Sequence, residues 1–566
     1  FNKMEDVWCE RVYSPWPDLA AILKEQKIPL FGLESQEPLK NMDFVGITLQ
    51  YEMCYTNILQ ILDLSGIPLL SADRSEDDPI VIGGGPCTYN PEPIADFFDL
   101  FYLGEGEVQY GALFALYREK KQTGMSRKEF LHKASQIPGI YVPSLYEVTY
   151  KEDDTIERFA PLYEDVTARV EKQLVMDMTE AVYPEKPVVP FIKATQDRVV
   201  LESQRGCIRG CRFCQAGMVY RPNREKGVER LKDLAYKMLK STGHEEISLS
   251  SLSSSDYSEL EELVTFLIDE FKGKGLNISL PSLRIDAFSL DVMSKVQDIK
   301  KSSLTFAPEA GSQRMRNVIN KGLTEEVILN GAGMAFEGGW NKVKLYFMLG
   351  LPTETEEDMR AIPELANEIA KLYYETVPKE KRNGKCQITI STSFFVPKPF
   401  TPFQWARMYE PQDYLSRAKV VNDAVHEQLN RKSIKYNWHE ADVTVLEGIL
   451  ARGDRRVAQA ILKVYEKGQT FDAWSEYFDY GKWLEAFAEC GINPDFYTMR
   501  ERSLDELFPW DFIDAGVDKS FLIREWKNAL AESVTPNCRM RCSGCGSRKF
   551  GGGVCFENEK GTGTEG

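Results

Sequence analysis

The sequence predicts an α/β protein in three parts. Residues 1–150 read as a parallel sheet with crossover helices, 196–405 as a full or partial (β/α) barrel, and 406–566 as a mostly helical domain carrying clustered cysteines. Residues 151–195, acidic at their ends and interrupted by prolines, read as a connector. Three observations predict this. Short apolar runs alternate with helical patterns near the N-terminus, as in a sheet covered on both faces. The same β-then-α order repeats through the middle of the chain. The last part has helical periodicity and many aromatics.

In the first part, Asp43–Leu49, Pro79–Gly83 and Leu100–Leu103 are expected strands and Tyr55–Leu64 a helix. Gly83, Gly84 and Gly85 follow a strand directly, where backbone can approach a ligand or simply turn. In the middle part, the expected strands are Arg198–Leu201, Glu246–Leu249, Asn277–Leu280, Ser303–Phe306 and Val343–Leu349. Helices such as Leu231–Lys240 and Glu259–Phe271 lie between them. In the last part, Phe471, Trp474, Tyr477, Phe478 and Tyr480 are expected in the core, with a stacking platform for bases as the alternative. The polar run Arg452–Arg456 is expected to form surface ion pairs, with an anion site as the alternative.

Composition bounds the function. The chain has 566 residues, 43% hydrophobic and 27% charged, the profile of a globular protein. Lys and Arg total 69 against 86 Asp and Glu, a net charge of −17 that disfavours a generally basic nucleic-acid coat. No run of 18 apolar residues or signal peptide is found, so a cytoplasmic protein without a membrane span is expected.

Cysteine spacing carries the chemistry. Seven of the 12 cysteines fall in two clusters, which in a large unsecreted chain points to metal binding in a reducing compartment. Cys207, Cys211 and Cys214 form a C-x3-C-x2-C run just after a strand. Three thiolates on one loop can hold three irons of a 4Fe–4S cluster and leave the fourth open. A zinc knuckle is the alternative, but no His lies nearby and zinc sites favour paired C-x2-C units. Cys538, Cys542 and Cys545 repeat the spacing, and Cys555 supplies a fourth thiol for a second 4Fe–4S cluster or a zinc ion. Cys9, Cys54, Cys87, Cys386 and Cys490 stand alone and read as small buried residues.

On these residues the chain resembles radical S-adenosylmethionine (SAM) enzymes, in which such a three-Cys loop holds a 4Fe–4S cluster. In that family the open iron chelates SAM, and one electron cleaves it to a 5′-deoxyadenosyl radical. The resemblance extends over most of 196–405. Ser248–Ser255 stands where the family places a polar strand end at the SAM amino group, although the usual Gly-Gly-Glu form is absent. Phe306–Gly322 resembles the family's Glu-x-Gly-Ser…Asn-Lys-Gly stretch, and Tyr346–Thr355 its fifth strand and turn. The resemblance implies SAM contacts from Ser250, Arg284, Glu309 and Ser312, and an electron donor such as flavodoxin or ferredoxin. Phe394–Phe403 resembles the Pro-rich closing segment of methylthiotransferase-like members.

The N-terminal part resembles the Rossmann-like cobalamin-binding domain that precedes many radical SAM barrels, on Val45–Thr48, Ile82–Thr88, Pro91–Pro93 and Gly104–Glu107. The resemblance implies that cobalamin lies over the strand ends and over Gly83, Gly84 and Gly85. The family's axial-His loop is absent: the four histidines are His132, His244, His426 and His439. Either such a loop precedes Phe1, or cobalt binds without His, or the domain is a relic. The whole chain resembles a bacterial family of this layout. The expected function is radical SAM chemistry, with cobalamin-dependent methyl transfer to an unactivated carbon or phosphorus. The alternative is cobalamin-independent modification, such as methylthiolation, of RNA or protein with a second Fe–S cluster. A non-enzymatic Fe–S or RNA scaffold is the third reading. The substrate, whether small molecule, RNA or peptide, is not identified by the sequence.

Overall fold

A computed structural model describes residues 1–192, 194–279, 304–382 and 384–556. The chain divides into two compact units, Phe1–Leu174 with Asp442–Ala515 and Val175–Ala441 with Gly516–Gly566.

The first unit is built on a four-stranded sheet in the order β1 (Phe44–Thr48), β2 (Ile80–Gly84), β3 (Leu100–Tyr102) and β4 (Ile140–Tyr141). The first three are parallel and β4 is antiparallel to β3. Val81, Leu100 and Phe101 are fully buried, as expected of a sheet covered on both faces. Helix Tyr55–Leu64 exposes almost nothing, because helix Val457–Glu466 packs on it. β5 (Tyr146–Tyr150) and β6 (Ile156–Pro161) form a hairpin, and β7 (Val170–Glu171) pairs with Ile513–Asp514.

The second unit contains β8 (Val199–Glu202), then a short ribbon of β9 (Gln204–Arg205) and β10 (Arg224–Glu225). β11 (Glu246–Ser250) and β12 (Asn277–Ser279) follow, and the three-stranded sheet β12-β11-β8 is parallel. A second parallel sheet runs β13 (Leu304–Glu309), β14 (Lys342–Leu349), β15 (Gln387–Phe394) and β16 (Ile434–Trp438). Both sheets are parallel and keep the β-then-α order of a (β/α) barrel, but they are separate sheets among the described residues. Residues 280–303 lie between the sheets in sequence and outside the described residues, and Arg284 lies there too. Helix Val228–Thr242 places Leu231, Leu234, Ala235 and Met238 on Val199, Leu201, Ile247 and Leu249. Burying each such aliphatic side chain stabilises by about 1.5–3 kcal/mol. In β14, Val343, Leu345, Phe347 and Leu349 are buried while Lys344, Tyr346 and Met348 are half-exposed, the alternation of a strand with one covered face.

Several expectations need correction. Residues 406–566 do not form one helical domain. β16 completes the second sheet, 442–515 belong to the first unit, and the rest belong to the second. Helical periodicity reports an apolar face but not which core it covers. Arg452–Arg456 meets the expectation of surface ion pairs only at Arg456, which pairs with exposed Asp154 at 2.7 Å, and it is not an open anion site. Arg452 is fully buried and donates to the Tyr497 carbonyl, Arg455 pairs with buried Glu92, and Arg456 pairs with Asp454. Trp474 and Tyr477 are more than one-third exposed, around buried Phe471 and half-exposed Trp16. Among the lone cysteines, Cys87 and Cys386 are buried but Cys9 is exposed. Among the described residues, no helix is long and apolar enough to cross a membrane.

Candidate metal centre and cofactor site

The β9–β10 ribbon closes the loop that carries Cys207, Cys211 and Cys214. Gly206 starts it at φ +81°, and a Cβ there would stand 2.6 Å from the Tyr220 carbonyl oxygen. All three thiols are partly buried. The Arg209 N–H points at Cys207 Sγ (3.4 Å) and the Gly217 N–H at Cys214 Sγ (3.3 Å). Burial pushes the Cys207 thiol up to about 12, and the charges of Cys211 and Cys214 add to it. Burial likewise pushes Cys214 up to about 11, with Cys211 and Glu309 raising it and Lys321 opposing. Metal ligation requires thiolates, so loading this loop must release protons. Among the described residues, no three His, Cys, Asp or Glu side chains converge as ligands of a single ion. The fit to a polynuclear cluster rests on the donor set: three thiols on one loop, with N–H donors aimed at the sulfurs of Cys207 and Cys214.

One buried and one partly buried arginine hold the loop. Arg212 is completely buried and donates to the carbonyls of Asn317 (3.1 Å), Val318 (2.9 Å) and Ser533 (2.6 Å) and to Glu525 (3.1 Å). It thereby places positive charge at the C-terminal end of helix Gln313–Val318, where the helix dipole favours it. Arg209 pairs with Asp256. Asn320 Nδ2 donates to the Gly210 carbonyl at 3.0 Å.

The candidate SAM residues divide. Glu309, at the carboxyl end of β13 with φ +67°, pairs with Lys321 at 3.2 Å. Both act electrostatically on Cys214, so the fold brings β13 and the residues after helix Gln313–Val318 to the cysteine loop. Lys321 also lies 6.0 Å from the Phe213 ring centroid. Ser312 is the N-cap of helix Gln313–Val318; its hydroxyl accepts from Met315 N and donates to Asp358. Ser250 ends β11, is exposed, and its carbonyl accepts from Ser203 N. Nearby, Ser253 donates to Asp256, the partner of Arg209.

The second cysteine cluster lies against the first loop. Cys538 N donates to the Ile208 carbonyl at 3.0 Å, and Val554 N to the Asn223 carbonyl at 3.0 Å. Arg539 pairs with Glu225 and donates to the Asp256 carbonyl at 2.6 Å. Thr535 and Asn320 exchange two hydrogen bonds. Cys545 is buried, Cys538 and Cys555 are partly buried, and Cys542 is exposed. Burial pushes Cys555 up to about 11, and Cys545, Cys538 and Cys542 each raise it further. Burial would also raise Cys545, but the Arg221 guanidinium and Ser547 bring it below the ordinary thiol value. The four thiols act on one another electrostatically and are soft donors of the kind a 4Fe–4S cluster or zinc takes, but among the described residues they do not converge in single-ion geometry.

In the first unit, Gly83 and Gly85 have packing reasons. A Cβ at Gly83 would stand 2.5 Å from the Phe101 ring, and one at Gly85 2.9 Å from the Leu49 carbonyl oxygen. Gly84, Gly85 and Gly104 are half-exposed, and Gln50, Gly106 and Glu107 are exposed, near the carboxyl ends of β1, β2 and β3. His132 lies on helix Arg127–Ala134 and pairs with Asp165, so it offers no axial ligand at a strand end.

Sequence reasoning passed over Arg209, Arg212, Arg221, Asp256 and Lys321. Arginines two residues from, or beside, a clustered cysteine were the available signal, and Lys321 stands inside the Asn-Lys-Gly stretch. Residues 1–143 match the model of the N-terminal region of radical SAM proteins, and 201–366 that of the radical SAM superfamily. The uncharacterized protein MJ0966 of Methanocaldococcus jannaschii is 33% identical over 438 residues, 77% of this chain and 83% of its own. Threonylcarbamoyladenosine tRNA methylthiotransferase MtaB of Aquifex aeolicus is 26% identical over 234 residues, 39% of this chain and 55% of its own. The radical SAM methyltransferase TsrM of Kitasatospora setae, solved with cobalamin and a 4Fe–4S cluster, superposes with a TM-score of 0.43 at 12% identity, covering 70% of this chain and 72% of that one. With its three-thiol loop following a strand of a parallel sheet, and with these matches to the two family models and to MJ0966, the chain belongs to the radical SAM superfamily.

Proposed function

We propose that this chain is a radical SAM transferase carrying two metal centres in its second unit. Cys207, Cys211 and Cys214 hold the SAM-cleaving 4Fe–4S cluster, and Cys538, Cys542, Cys545 and Cys555 hold a second cluster or zinc. When bound, the first cluster and SAM supply a 5′-deoxyadenosyl radical through one-electron reductive cleavage, with flavodoxin or ferredoxin as donor. The chain's residues orient and shield that chemistry. Arg212 and Asn320 fix the loop, and Glu309 with Lys321 offers an anion and a cation beside Cys214 for the two charged ends of the SAM amino acid. Ser250 and Ser312 complete the cradle through polar contacts. The single observation that carries this reading is the C-terminal cysteine segment lying on the first loop. It favours radical group transfer of the methylthio type, the activity named for the Aquifex relative.

Cobalamin-dependent methyl transfer to an unactivated carbon or phosphorus is the second reading. The half-exposed glycine surface at the carboxyl ends of β1–β3 favours it. Anaerobic protein tests both. Iron, zinc and cobalt are measured per chain, and 5′-deoxyadenosine is measured after adding SAM and dithionite. About eight irons supports two cubanes, and about four irons with one zinc supports a zinc-bearing second site. Stoichiometric cobalt after reconstitution with cobalamin selects the second reading. Absence of 5′-deoxyadenosine from iron-replete protein overturns both.

A further inference from the structure

Arg221 is the group that both cysteine clusters share. It follows the short helix Ala216–Val219 and is 3% exposed. Nε donates to the Gly217 carbonyl at 2.9 Å, just past Cys214, and Nη2 donates to the Arg209 carbonyl at 3.0 Å, between Cys207 and Cys211. On the side of the second cluster, Cys538 N donates to the carbonyl of Ile208, the neighbour of Arg209, and the charges of Cys545, Cys538 and Cys207 act on the guanidinium. It lies 5.4 Å from the ring centroid of Phe521, which helps to exclude water. A guanidinium stays charged when buried, and charges interact more strongly where water is excluded. Two anionic thiolate sets therefore compete for the N–H groups of one buried cation, and those turned toward one set are lost to the other.

We propose that Arg221 is a positioning residue that couples the two centres electrostatically, so that the charge held by the C-terminal centre sets the reduction potential of the Cys207–Cys211–Cys214 centre. The inference rests on the two-centre reading above. A nearby cation stabilises the reduced, more negative cluster and raises its potential. Anions that draw on the same cation lower that potential. The direction is the same whether the second centre is an iron–sulfur cluster or tetrathiolate zinc, because both carry net negative charge.

The test uses the full chain, loaded anaerobically, with metal content per chain and an EPR-monitored redox titration of the first centre. Arg221→Gln should keep the first centre's iron and lower its midpoint potential, and Arg221→Lys should restore much of the shift. Cys538→Ala/Cys545→Ala should lose the second centre's metal and raise the midpoint of the first. That rise should shrink when Arg221→Gln is added. An unchanged midpoint in Arg221→Gln protein with full iron overturns the coupling. If Arg221→Gln does not fold, a Cys538→Ala/Cys545→Ala protein that has lost metal but keeps the wild-type midpoint overturns it. If that double variant keeps every metal atom of the wild type, the two-centre reading itself has failed, and the coupling with it.

Discussion

Replacing Arg212 with Met should release the cysteine loop. The guanidinium is fully buried, and its partners are three backbone carbonyls and a carboxylate that is 3% exposed. Met fills similar volume but leaves Glu525 charged and buried. Removing one partner of such a pair costs about 3–5 kcal/mol, most of it the uncompensated charge. Glu525 also accepts from Thr535 and Asn528, so the cost falls on the C-terminal segment as well as on the loop. Hydrogen exchange read by mass spectrometry on peptides covering 207–220 reports local opening directly. At about 1.4 kcal/mol per tenfold, the lower bound corresponds to an acceleration of about 150-fold. The Arg212→Met/Glu525→Met pair should be less damaging than the sum of its singles, by about 1–3 kcal/mol, because no charge is then stranded. Exchange in Arg212→Met indistinguishable from wild type, or strict additivity in the pair, would refute the reasoning.

Three further outcomes are expected. Gly206→Ala forces a side chain into positive φ, costing about 1–2 kcal/mol before the carbonyl clash, so iron per chain should fall while the first unit's proteolytic resistance is unchanged. Glu309→Gln should keep its iron, yet lower the rate of 5′-deoxyadenosine formation at subsaturating SAM by about 10–100-fold, the worth of one charge-assisted hydrogen bond. Glu354 is buried and raised to about 7 by burial, against help from the Gly350 N–H and Arg417. A folded value above the unfolded one means its contribution is fully present below about 4.5 and lost as pH rises through about 7. Unfolding of apo protein should therefore shift in favour of Glu354→Gln by about 3 kcal/mol between pH 4.5 and 8, and a pH-independent difference would contradict the burial argument.

The strands of both sheets were legible where apolar runs were short and bounded by polar residues, as in β1, β2, β8, β11 and β14. β15 and β16 were missed because Gln387–Phe394 alternates Ile with Thr and Ser, and because Ile434–Trp438 is short and charged. The cysteine loop was legible because three identical soft donors, fixed in spacing on one short segment, are what a thiolate-held cluster requires. The contact between the two clusters was not, since nothing local to Cys538 or Ile208 announces a hydrogen bond across more than 300 residues of chain. Gly83 and Gly85 show the opposite hazard. Their lack of a side chain serves Phe101 and Leu49, a requirement that looks the same in sequence as a ligand cradle.

The polypeptide passes between its two units three times, after Leu174, after Ala441 and after Ala515. Each unit is therefore finished by sequence that the ribosome delivers late. Helix Tyr55–Leu64 waits for Val457–Glu466, and the thiols at 207–214 wait for the segment from Thr535 onward. At about 5–20 residues per second, that wait is on the order of tens of seconds. During it the loop is a nascent, oxidisable trio with no cover from the C-terminal segment. A fragment stopping near Ala441 would hold the cysteines without the segment that packs on them.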